Sequence, residues 1–193
     1  MTMSRERLER VAAALRRRGY DTAVAATSAE AKAESLAEAE SFSTIGWGGS
    51  ETLKESGVRA ALESCGKEIL DHRTDSEIFF LSANAMTEDG IIVNIDGTGN
   101  RVAASIYGPK RVVYVVGRNK IVSGGVMEAM RRARNFASPP NCRRLGRATP
   151  CVETKLCADC DSPDRICKVT VVFDRPPTRT PTKVILVDED LGY

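Results

Sequence analysis

Residues 78–116 read I-F-F-L-S-A-N-A-M-T-E-D-G-I-I-V-N-I-D-G-T-G-N-R-V-A-A-S-I-Y-G-P-K-R-V-V-Y-V-V. The last five are apolar almost throughout, which predicts a strand buried on both faces with helices packed against each. The first eight predict a single strand over residues 78–85. Glu88, Asp89 and Gly90 form a hairpin turn of Asp-Gly type, and residues 91–95 return as its partner. A glycine-rich loop follows at residues 97–100, and then a short helix over 101–106.

Upstream, Leu8, Val11, Ala12 and Leu15 recur at helical spacing, so residues 4–18 predict an amphipathic helix that Gly19 ends. A strand over 20–25 precedes a capping box, Thr27 to Glu30, which opens a helix to about Glu40. Residues 42–46 read as a strand, Trp47 to Ser50 as a tight turn, and 51–55 and 58–65 as helical segments. Residues 68–71 read as a further strand. Downstream, Ser123 caps a helix to about Phe136, ended by Pro139 and Pro140. Strands follow at 169–173 and 183–187, separated by a loop rich in proline and threonine. This alternation predicts an α/β fold: a three-layer sandwich with a mixed sheet. We expect one domain over residues 1–193, carrying a cysteine-rich insertion at 142–168.

That insertion holds four of the six cysteines within 17 residues: Cys151, Cys157, Cys160 and Cys167, spaced C-x5-C-x2-C-x6-C. Thiols this dense predict a metal centre, because thiolates suit tetrahedral zinc or an iron–sulfur cluster. Structural zinc sites usually combine two Cys-x-x-Cys pairs. Here one pair is flanked by single cysteines, which favours a [4Fe–4S] cluster, with zinc as the alternative. Cys142 reads as a spare thiol and Cys65 as core.

Two glycine loops are candidates for ligand binding. In I-G-W-G-G-S, a strand runs into Gly48, Gly49 and Ser50 and then a helix, so backbone N–H groups can face an anion. Ser50 adds a hydroxyl to the anion or serves only as the helix N-cap. In N-I-D-G-T-G-N-R, the residues Asp96, Gly97, Thr98, Gly99, Asn100 and Arg101 gather polar groups around two glycines. Arg101 is the expected clamp for a carboxylate or phosphate. Both loops follow strands, so we expect them to face one cleft. The long run from Ser138 to Cys151 should let the cysteine segment fold back to border it. Asn84 lies inside an apolar strand and needs a partner or a ligand. Glu88 is a candidate catalytic residue, although a turn role explains it as well. Trp47 stacks on a ligand or packs, and His72 reads as a solvated edge residue.

Net charge is +2, with 42% hydrophobic and 28% charged residues. The charge makes no case for nucleic acid. No apolar run reaches the roughly 20 residues that span a bilayer. With no apolar secretory core at the N-terminus, we expect a reducing, cytoplasmic setting.

The run S-A-N-A-M-T-E-D-G-I-I-V-N-I-D-G-T-G-N-R-V-A-A resembles the central signature of the lactate-utilisation, or LUD, domain. G-W-G-G-S-E-T-L-K-E-S-G, V-G-R-N-K-I-V, A-S-P-P-N, T-P-C with its following cysteines, and I-L-V-D-E-D-L-G-Y are similar to the short, stand-alone members. The resemblance implies a fold related to CoA transferases and sugar-phosphate isomerases. It also implies a role in oxidising lactate or a related hydroxy acid beside iron–sulfur partner proteins. Alternatives are a non-redox enzyme of the CoA-transferase or isomerase type, using Glu88 with a structural zinc, or an anion-sensing regulatory protein. A homo-oligomer is compatible with each.

Overall fold

The computed structural model describes residues 5–70 and 73–193, so the expectations for Ser4, Asp71 and His72 lie outside the described residues. In order, the elements are α1 (Arg5–Arg17), β1 (Asp21–Ala25), α2 (Ser28–Ala39), β2 (Thr44–Trp47), α3 (Glu51–Glu55), α4 (Val58–Glu63), β3 (Glu68–Ile69), β4 (Ile78–Leu81), β5 (Ala85–Thr87) and β6 (Ile92–Asp96). Then come α5 (Asn100–Ile106), β7 (Arg111–Gly117), β8 (Ile121–Val122), α6 (Val126–Arg132), a π-turn (Ala133–Ala137), α7 (Ser138–Arg144), α8 (Pro150–Thr154), β9 (Val169–Phe173) and β10 (Thr182–Val187).

The α/β architecture is the expected one, but the strand mixing sits in a second sheet. Six strands form an entirely parallel sheet, ordered β1-β10-β7-β4-β2-β3. Four form a smaller mixed sheet, β8-β5-β6-β9. Val112, Val113, Val115 and Val116 of β7 are wholly buried, because α2, α3 and α4 cover one face of the large sheet and α1 with the small sheet covers the other. Each such fully buried aliphatic side chain contributes roughly 1.5–3 kcal/mol. The far face of the small sheet, Ala85, Val93 and Ile95, packs against Ala129 and Ala133, with Cys167 against it.

Two departures from the sequence reading shape the site. The expected single strand over residues 78–85 is broken: β4 belongs to the large sheet and β5 to the small one, so Ser82, Ala83 and Asn84 form the joint between them. The break carries two polar residues, Ser82 and Asn84, but apolar residues flank it closely on both sides, so the run read as one strand. The second departure is helical. Pro139 and Pro140 do not end the helix after Phe136. The π-turn widens it, Ser138 Oγ donates to Ala133 O at 3.1 Å, and α7 continues with its prolines in the first turn. There the missing N–H groups cost little.

Thr27 caps α2 as expected: its hydroxyl accepts from Glu30 N–H at 3.3 Å. Among the described residues, no helix is long and apolar enough to cross a membrane.

Candidate functional site

Strands β2, β4, β7 and β10 are parallel, so their C-terminal ends emerge along one sheet edge, where ligands of α/β folds gather. From those ends come the first glycine loop, the joint, residues 118–120 and the tail 188–193. A cavity of about 370 Å³ opens there. Gly49 contributes one wall, and Asn84, Asp96, Gly97, Thr98, Asn100 and Arg101 a second. Asn141 and Arg144 of α7, Asp164, Arg165 and Lys168 of the cysteine segment, and Tyr193 complete it. The two glycine loops therefore share one cleft, and the cysteine segment borders it.

Arg101 is the floor of the cavity. Its side chain is 14% exposed. The guanidinium donates to Asn84 Oδ1 at 2.9 Å, Ile95 O at 2.6 Å and Ser82 O at 3.4 Å, and lies 3.9 Å from the Asp96 carboxylate. Asn84, which needed a partner in the sequence, spends its side-chain carbonyl on Arg101 and on Ile95 N–H at 2.9 Å. Asp96 is a cap: its carboxylate accepts from the N–H groups of Gly97, Arg101 and Val102 at 2.8, 3.0 and 3.2 Å. It thus occupies N–H groups at the start of α5 that could otherwise face an anion. Anion recognition falls to side chains instead.

The glycines have separate tasks. A Cβ on Gly48 would stand 2.7 Å from Cγ and Cδ of Arg101, so its bareness lets the arginine stem cross the first loop. A Cβ on Gly97 would stand 2.9 Å from Ile166 O. Its absence admits the cysteine segment, which is tied down there by Lys168 N–H donating to Asp96 O at 3.0 Å. Gly99 precedes α5 in the left-handed region, φ 88°. Ser50 is the N-cap of α3, accepting from Leu53 N–H at 3.3 Å; neither it, Gly48 nor Gly99 lines the cavity. Trp47 lies under the Arg59 guanidinium, 5.4 Å from the ring centre, rather than in the cavity. Glu88 sits at the hairpin turn, ion-paired with Arg7, and is absent from the cavity lining.

The sequence reading missed Lys120 and Arg132, since lysine and arginine are rarely buried. Lys120 is 4% exposed; its ammonium donates to Thr52 Oγ1 at 2.6 Å and Ser82 Oγ at 3.1 Å. Burial holds its pKa down to about 7, with Arg132 and Arg101 adding repulsion and Glu55 opposing. Arg132 donates to Asn119 O at 3.0 Å and to Asn84 O, and burial lowers it to about 10. Three cations thus converge on the joint, Ser82 to Asn84. The available signals were Asn84 in its apolar run and the position of Lys120 at the end of a turn that follows a buried strand and leads straight into Ile121 and Val122. The rim residues Arg144 and Tyr193 were also missed: Arg144 Nε donates to Tyr193 Oη at 2.8 Å and faces Glu51 at 3.5 Å.

All six cysteines are free thiols. Arg165 organises the segment, donating to Cys160 O at 2.8 Å and Cys167 O at 3.0 Å and pairing with Asp159 at 2.7 Å. Cys157 Sγ accepts from Asp159 N–H at 3.4 Å. Cys142 is buried beside Thr149 and Cys151; burial first, then Cys151 and Cys167, push its thiol up to about 11. Among the described residues, no three His, Cys, Asp or Glu side chains form a group that could hold a metal.

No curated protein matches this chain. Among solved structures it is similar to the crystal structure of a DUF162 family protein from Deinococcus radiodurans. That likeness has a TM-score of 0.56 at 17% identity and covers 96% of this chain and 99% of the other. It shows a shared fold. The family profile described as LUD domain matches residues 8–187, nearly the whole chain. The protein is therefore a member of the LUD domain family.

Proposed function

We propose that this LUD-domain protein binds a small organic anion, a carboxylate or phosphate, and acts as a redox component in the use of lactate or a related hydroxy acid. The observation that carries the binding half is a cavity whose wall combines both glycine loops with Pro163, Asp164, Arg165, Ile166 and Lys168 of the cysteine segment. Its lining holds Arg101, Arg144, Arg147, Arg165 and Lys168 against Glu51, Asp96 and Asp164, an excess of positive charge suited to an anion. Arg101, already bonded to Ser82, Asn84 and Ile95, brings its positive charge to a largely buried floor, where attraction to an anion is stronger than in water.

The redox half rests on donor chemistry. Four free thiols in one segment, with a backbone N–H already donating to Cys157 sulfur, are the groups that hold a [4Fe–4S] cluster or, alternatively, zinc. Their placement does not form a ready ligand set, so Cys151, Cys157, Cys160 and Cys167 must draw together around a metal. A cluster at the segment would lie beside the cavity wall and serve iron–sulfur partner proteins. A structural-zinc isomerase acting through Glu88 is less favoured, because Glu88 is held by Arg7 away from the cavity lining.

Metal analysis after anaerobic purification tests the redox half. Cys157→Ser and Cys160→Ser should lose iron while keeping the far-UV spectrum, because the large sheet takes no strand from the segment. Full iron occupancy in Cys157→Ser would remove the ligand assignment. Titration calorimetry with oxalate and with inorganic phosphate tests the binding half.

A further inference from the structure

Behind the cavity wall lies a group that anion binding does not use. Lys120 follows β7 at the ligand-bearing edge, between Thr52 of α3 and Ser82 of the joint. Each of these is close in sequence to a cavity-lining residue: Thr52 to Glu51, Ser82 to Asn84. Its cover is the tail, where Leu191 O accepts from Thr52 Oγ1 at 3.1 Å and Gly192 O from Asn119 Nδ2 at 3.0 Å; the next residue, Tyr193, lines the cavity. Among the described residues Lys120 has no carboxylate in an ion pair. Burying an ammonium without such a partner is expensive, and guanidiniums on α5 and α6 face it from two sides.

We propose that Lys120 is a covalent site: its amine condenses with the carbonyl of a small 2-oxo acid whose carboxylate Arg101 holds. The amine nitrogen adds to the carbonyl carbon, giving a carbinolamine. Loss of the hydroxyl as water leaves the imine, and hydrolysis reverses it, so no oxidant or reductant is needed. A desolvated lysine beside other cations is the kind of amine that is neutral, and so nucleophilic, near pH 7. The Thr52 and Ser82 hydroxyls stand within hydrogen-bond reach of the nitrogen and can relay the protons that leave the amine and reach the departing oxygen. The groups facing the amine are Arg101 from α5, Arg132 from α6, and Glu55 with Thr52 from α3. For the carbonyl to arrive, the Leu191–Tyr193 cover must shift. It is held by polar contacts from Thr52, Asn119, Glu55 and Arg144.

This inference rests on the anion-site reading, and the test separates the two. The protein is incubated with pyruvate, reduced with sodium borohydride, and mapped by peptide mass spectrometry. One adduct on Lys120 is expected, absent in both Lys120→Met and Lys120→Arg and suppressed by oxalate. In Arg101→Ala, trapping should fall about tenfold, the loss of a charge-assisted contact. Adducts scattered over other lysines, equal in wild type and Lys120→Met, overturn the proposal. Oxalate binding by calorimetry without trapping overturns it too and leaves the anion site standing. Trapping of Lys120 by glycolaldehyde but not by pyruvate also overturns the proposal, because the carboxylate would then play no part in bringing the carbonyl to the amine.

Discussion

Arg101→Ala is expected to weaken a bound carboxylate by about 1.5–3 kcal/mol, the range for hydrogen bonds to a charged group. It should also unfold more readily than wild type. Ser82 O and Ile95 O lose the arginine donor in a largely buried setting, while Asn84 Oδ1 keeps only the Ile95 N–H. Each buried acceptor left without a partner costs roughly 1–3 kcal/mol before water or repacking relieves it. Arg101→Lys should recover part of the stability and little of the affinity, because an ammonium cannot reproduce the planar fork. Calorimetric titration with oxalate and urea unfolding measure the two quantities separately. Unchanged oxalate affinity in Arg101→Ala would place the anion elsewhere.

The second large effect belongs to Lys120 and has a sign fixed by proton linkage. Its folded pKa, about 7, lies below the ordinary lysine value of 10.5. Below pH 7 both folded and unfolded chains hold the proton, and the full burial cost of the ammonium is present. Between about 7 and 10.5 the unfolded chain binds the proton and the folded one does not, so stability from this group rises with pH. Lys120→Met removes that rise. The stability of wild type relative to Lys120→Met should therefore increase by about 2–3 kcal/mol between pH 6 and pH 9, at 1.36 kcal/mol per pH unit over the two units above the folded pKa. Because the comparison is a difference of differences, the hydroxyls of Thr52 and Ser82 that lose their donor cancel. Equal relative stability at the two pH values would show that the ammonium is not paying a burial cost.

Much of this molecule could be read from its letters where one residue type answers to one physical demand. The valines of 112–116 had to be a doubly covered strand, since only helices on both faces hide such a surface. Gly49, Gly97 and Arg101 were legible as loop residues of a cleft because strand-to-glycine turns emerge at sheet ends. What escaped notice depended on partners distant in sequence. The joint at Ser82 is apolar on both sides, and only Lys120, 38 residues later, reveals why a hydroxyl is needed there. Asp96 read as one polar group among several, whereas its carboxylate is committed to three backbone N–H groups. Gly48 looked like an anion cradle; its bareness serves the Arg101 stem. The cysteines show the opposite limit: their spacing is plain in the chain, but spacing alone does not assemble a ligand set.

The π-turn at Ala133–Ala137 acts as a phase shift in a long helix. A π-turn is equivalent to one residue inserted into an α-helix, and each residue advances the helix by about 100°. Asn141 and Arg144, which line the cavity, lie beyond that turn. Removing one residue from the turn would restore uniform winding, with the prolines retained, and carry both side chains about 100° around the axis. The Tyr193 hydroxyl would lose its contacts to both. Such a deletion would leave the composition of the wall almost unaltered and spoil it purely by rotation. The helix in this protein thus sets an azimuth for the binding site, as well as a length.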